Sequence, residues 1–179
     1  MKVLTGLVIS AFTLTAVSVT TTTTAQAQGM KKLMEQVEMK VTNKKHAAVI
    51  AKRRGAMRAL SSNMKRIVGY LRANKGGPED VAASAKKIVS IAKGLPGMFP
   101  AGTGMAKYPG VTGAKPDVFQ KRQDFKKAAM RLASLAGNMA TAASAPGAGK
   151  AQIGKALGPL GKMGCGGCHK GYRQKLKKK

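Results

Sequence analysis

Near the C-terminus, Cys165, Gly166, Gly167, Cys168 and His169 form a Cys-x-x-Cys-His run that narrows the folds open to this chain. This is the attachment signature of a c-type haem, in which two thiols add to the vinyl groups and the histidine binds the iron. On a helix, residues three apart share a face, so both sulfurs reach one porphyrin edge. His169 then projects its imidazole toward the metal as the proximal ligand. The expected cofactor is one covalent haem c.

Two other uses of paired cysteines fit less well. A redox disulfide calls for a βαβ context, which the sequence does not supply. A structural zinc site takes four ligands, and the chain has two cysteines and one further histidine, His46, far upstream.

Residues 1–27 read as a secretory leader that is removed on export to the periplasm. Lys2 is the positive start, Val3 to Val19 the apolar run, and Ala25-Gln26-Ala27 the cleavage site. Threonine, serine and glycine interrupt the run, so stable membrane insertion is not expected. Residues 28–43 form a basic extension, helical if Leu33, Val37 and Val41 share a face, with no docking site evident. Residues 44–179 form the main domain.

The formal charge is +27, with 33 Lys and Arg against 6 Asp and Glu. Such a field favours anionic partners, including acidic docking surfaces on redox proteins. Nucleic acid is not expected, because an exported protein rarely meets it and aromatic residues are too sparse for base stacking. A solvated basic surface is the plainer alternative.

No sustained alternation of period two occurs, so the body reads as all-α. Ile50, Met57, Leu60, Met64, Ile67 and Leu71 give the first helix, about 44–74, an inward stripe. Gly76-Gly77 ends it, and Pro78-Glu79-Asp80 opens the second with proline in the first turn and acids at the positive end. A loop rich in glycine and proline follows over 94–115. A third helix starts at Pro116-Asp117. The fourth runs from Lys150 to the lysine tail, with a kink or break expected at Pro159.

These features together resemble the class II c-type cytochromes, the cytochrome c′ and cytochrome c-556 family. The ending Cys165 to Arg173 is similar to that family's Cys-x-x-Cys-His-x-x-aromatic-Arg pattern, which marks Tyr172 and Arg173 as cofactor-binding candidates. Leu95-Pro96-Gly97-Met98-Phe99-Pro100 resembles the loop after its second helix, and Arg53-x-x-x-Met57 a segment of its first. The resemblance implies an antiparallel four-helix bundle enclosing the haem, His169 as proximal ligand, and homodimers packed through the first two helices.

The sixth iron position separates two functions. In an up-down-up-down bundle the start of the first helix faces the end of the fourth, which brings Arg53 and Met57 level with His169. His46 lies eleven residues before Met57, about 16 Å along a helix axis, so it would ligate only if the first helix started earlier, in the extension. Arg53, a cation on an apolar stripe, would pair with the haem propionates or reach outward to water. Met57 as iron ligand gives a low-spin, non-enzymatic electron carrier; Met57 as core filler leaves an open iron that binds NO or CO. The sequence reading favours the electron carrier, with metal ligands His169 and Met57.

Overall fold

The computed structural model of the chain describes residues 20–176. Helices account for its regular structure: α1 Thr20–Glu38, α2 Lys44–Ala73, α3 Pro78–Gly94, a short α4 Asp117–Gln120, α5 Arg122–Ser144, α6 Lys150–Pro159 and α7 Gly167–Tyr172. A tight 3₁₀ turn, Leu95–Met98, follows α3, and a wide π-helical segment, Leu160–Gly166, joins α6 to α7. The four members of the bundle are α2, α3, α5 and the composite α6–π–α7.

Local chemistry sets the helix ends. The Asn43 side chain accepts the His46 N–H at 3.0 Å and caps α2. Asn74, at φ 51°, closes α2 in the left-handed conformation that asparagine tolerates. At the start of α3, Pro78 occupies the first turn and the Asp80 carboxylate accepts the Gly77 N–H at 3.0 Å.

The core lies where the four members meet. Ile67, Val81, Ile88, Leu132, Met139, Ile153 and Leu160 are buried there. Ala82, Ala85 and Ala92 of α3 share this core with Ala129, Ala133, Ala136 and Ala140 of α5. Such small side chains let two backbones approach closely. Each fully buried large aliphatic side chain, Ile88 among them, adds roughly 1.5–3 kcal/mol relative to exposure.

The expected helices differ from the observed ones in three places. The third does not run on from Asp117, because Lys121 leaves helical geometry (φ −106°, ψ 52°) and α5 starts anew at Arg122. The fourth widens after Pro159, whose ring removes a backbone donor and crowds the preceding turn. Its glycines tolerate the wider turn, and buried Gly164 sits so close to α5 that a Cβ there would lie 3.0 Å from a Leu132 methyl. Finally, α7 stops at Tyr172 instead of reaching the lysine tail.

That stop has a cause in the loop. The Gln174 N–H donates to the Gly113 carbonyl at 2.8 Å, and the Lys115 N–H donates to the Tyr172 carbonyl at 3.1 Å. Arg173, at φ −124° and ψ 128°, is drawn out straight into an antiparallel bridge with Ala114. A side chain at Gly113 would collide with the Gln174 carbonyl, so glycine is required by space there.

The basic extension is helical, and it docks. Leu33, Val37 and Val41 are buried against Ala47, Ile50 and Ala51 of α2 and Val111 of the loop. The helix begins at Thr20, passing through the expected cleavage site at Ala25-Gln26-Ala27. The apolar run of the leader lies outside the described residues. Among the described residues, no helix is long and apolar enough to cross a membrane.

Candidate haem site

α7 and the residues after it, the middle of α2, the loop before α4, α4 itself and the first turn of α5 line a cavity of about 560 Å³. This lies within the range of cofactor clefts, roughly 300–1,000 Å³. Cys168, His169, Tyr172 and Arg173 line it from the C-terminal side, and Arg53 and Met57 from α2. The structure thus brings together six of the seven residues the sequence nominated.

Cys165 is the seventh, and it is not part of the cavity lining. It packs against the main core, whereas Cys168 packs on the cluster formed by Phe99, Ala114, Val118 and Phe125. The sharing of one face by residues three apart holds for an α-helix. Cys165 lies in the π segment and Cys168 in α7, so the pair does not sit on one regular α-helical turn.

Arg53 is turned inward, not toward water, and is 3% exposed. One terminal nitrogen donates to Thr103 Oγ1 at 2.9 Å; the other donates to Thr112 Oγ1 at 2.7 Å and to the Thr103 carbonyl. Burial pulls its pKa down to about 10. The guanidinium also stacks 5.0 Å from the Phe99 ring centre. Phe99 meets Phe125 edge-on at 4.9 Å, and Phe125 meets Tyr172 at 5.1 Å. These rings give the cavity a rigid apolar wall.

Met57 is partly buried and packs against both the main core and the Phe99–Phe125 cluster. His46 is elsewhere: its Nδ1 is hydrogen-bonded to the Tyr108 hydroxyl at 2.8 Å, and it does not line the cavity. Sequence reasoning missed Thr103, Thr112, Val111 and Ala114, because loop threonines and small residues carry no periodic signal. Phe99 was visible as an element of the loop motif, though not as cavity wall.

The donor set fits a haem c. Both cysteines are free thiols, with pKa values raised by burial and, for Cys168, also by the neighbouring Cys165. They are therefore held as neutral thiols, not joined as a disulfide. The pKa of His169 is lowered by burial and then by Arg173, which keeps the imidazole neutral with a lone pair free for iron. A zinc site fits poorly: no group of three or more His, Cys, Asp or Glu converges among the described residues.

Comparison with known proteins gives the family. The family model described as Cytochrome C′ matches residues 48–173. A cytochrome c′ of Pararhodospirillum photometricum is 36% identical over 128 residues, covering 71% of this chain and 97% of the relative. The crystal structure of cytochrome c′ from Thermochromatium tepidum superposes with a TM-score of 0.59 at 26% identity, covering 80% of this chain and 97% of that one. Another solved cytochrome c′ has the same score and coverage at 25% identity, and is described as undergoing ligand-controlled dimer dissociation. Homologues in this family can thus be dimers.

These matches overturn the expectation of a low-spin electron carrier ligated by His169 and Met57. They point instead to the cytochrome c′ type. The members are haem proteins, not enzymes, and the family is periplasmic. The chain belongs to the cytochrome c′ family and carries one covalent haem c.

Proposed function

We propose that this chain binds small neutral gases, NO or CO, at a five-coordinate haem c. Cys165 and Cys168 provide the thioether anchors, and His169 provides the proximal nitrogen. When bound, the haem supplies an iron with one open coordination position at which a diatomic gas can ligate. Met57 lines the cavity as an apolar side chain and would help to keep water out of it. Phe99, Phe125 and Tyr172 would give the cofactor an apolar wall, and Arg53 braces that wall while its unused N–H groups would be available to a propionate. Arg173 contributes positive charge at the rim.

The observation that carries this reading is membership of the cytochrome c′ family, in a chain whose Met57 packs between two apolar clusters. A methionine held in this way fills space. The test is a visible and near-infrared spectrum of the purified ferric protein, followed by reduction under CO. High-spin ferric iron and CO uptake are expected. A low-spin spectrum with a near-infrared sulfur-to-iron band would overturn the proposal.

We also infer export, with residues 1–27 as a cleaved leader, residues 28–43 as a separate extension and residues 44–179 as the cytochrome domain. The sequence pattern at Lys2, the apolar run and Ala25-Gln26-Ala27 supports this. A second copy of this chain and proteins with acidic surfaces are the partners proposed, the latter on the basis of the +27 charge.

A further inference from the structure

The family match begins at residue 48 and leaves α1 outside it, yet α1 shares a buried apolar cluster with a residue of the haem cavity wall. Leu33, Val37 and Val41 bury one apolar cluster together with Ala47, Ile50, Ala51 and Val111. Val111 in turn lines the haem cavity, as does its neighbour Thr112. Val111 is thus shared between the extension and the cofactor site.

Two further features make this arrangement specific. The bond between His46 and Tyr108 ties the base of α2 to the same loop. The Val111 and Thr112 N–H groups both donate to the Tyr108 carbonyl, at 3.2 and 3.3 Å. Thr112 then passes the constraint to Arg53. The loop segment from Tyr108 to Thr112 is held from outside by α1 and from inside by Arg53.

We propose that α1 is a positioning strap: by pressing on Val111 it sets the closure of the haem cavity and so the access of ligands to the iron. Residues 108–114 form a loop with no regular partner except the short C-terminal clip, and such segments open locally at low cost. Covering Val111 with Leu33, Val37 and Val41 raises that cost. The inference rests on the gas-binding reading for its ligand, but the loop's protection can be measured whatever the state of the iron.

The test uses the full-length haem-loaded protein. With Val37→Asp, a charge is forced into an apolar contact and α1 should lift away. Amide exchange at Val111 and Thr112 should then speed up by about tenfold or more, while amides of α3 and α5 keep their protection. The CO association rate should rise several-fold in parallel. Val37→Ile should restore both readouts to those of the parent, and Val111→Ala should reproduce the faster CO binding with α1 intact. If Val37→Asp fails to accumulate, Val37→Ala is read in the same way with a smaller expected change. Faster exchange confined to α1, with Val111 and Thr112 still protected, would overturn the proposal. A parent protein that does not take up CO would defeat the gas-binding reading and leave the exchange result to decide the strap.

Discussion

Arg53 on α2 and Thr112 in the loop before α4 are joined by a 2.7 Å hydrogen bond in the buried wall of the haem cavity. The same guanidinium also holds Thr103, and the Thr103 hydroxyl donates to the Pro100 carbonyl at 2.7 Å. A charge this deep is normally matched by a carboxylate, and here neutral oxygens and an aromatic face take that role.

Replacing Arg53 should therefore cost stability before it affects colour. Arg53→Met keeps the length of the side chain but leaves the Thr103 carbonyl and two hydroxyls without their donor. A loss of about 2–3 kcal/mol is expected in denaturant unfolding of the haem-loaded protein. An unchanged midpoint would show that water replaces the guanidinium without loss.

Met57→Ala separates packing from ligation. If Met57 is an apolar cover, the ferric protein stays high-spin after the substitution and CO associates faster through the enlarged space. Stability should fall by about 1–3 kcal/mol, below the usual range for a fully buried methionine because Met57 is only partly buried. Conversion from low-spin to high-spin iron on substitution would instead mark Met57 as a ligand.

Loss of both thiols should abolish covalent retention of the cofactor. The haem of the parent protein should resist extraction by acidified organic solvent, whereas Cys165→Ala with Cys168→Ala should release it or fail to retain it. Extraction of pigment from the parent would contradict thioether attachment.

Gly113→Ala tests the clip on the C-terminus. The new methyl collides with the Gln174 carbonyl, so the bond from Gln174 to Gly113 must open. A loss of about 1–3 kcal/mol and quicker proteolytic trimming after Tyr172 are expected. Unchanged trimming would show that the clip does not hold the tail.

Some of this site was legible in the sequence because helices repeat. The stripe through Ile50, Met57, Leu60 and Ile67 placed Arg53 and Met57 opposite His169, and the antiparallel rule did the rest. The position of Cys165 was not legible, since a π segment needs the tertiary context of Pro159, the glycines after it and the face of α5. Thr103 and Thr112 lie in an irregular loop, where no periodicity predicts which oxygen meets a buried cation. Leu33, Val37 and Val41 announced an apolar face but not the surface that would cover it. Met57 was misread because a thioether beside a haem suits filling and ligation equally well by residue type. Family membership decided that case.

The pairing of residues 113–115 with Tyr172, Arg173 and Gln174 also makes one wall of the haem cavity a joint between two segments far apart in the chain. The main core among α2, α3 and α5 is buried without that joint. Cys168 and His169 sit just ahead of the closing strip, so the segment that offers a thiol and an imidazole is the one the strip holds against the loop. A change that loosens the strip would therefore be felt at the cofactor's ligands before it was felt in the bundle.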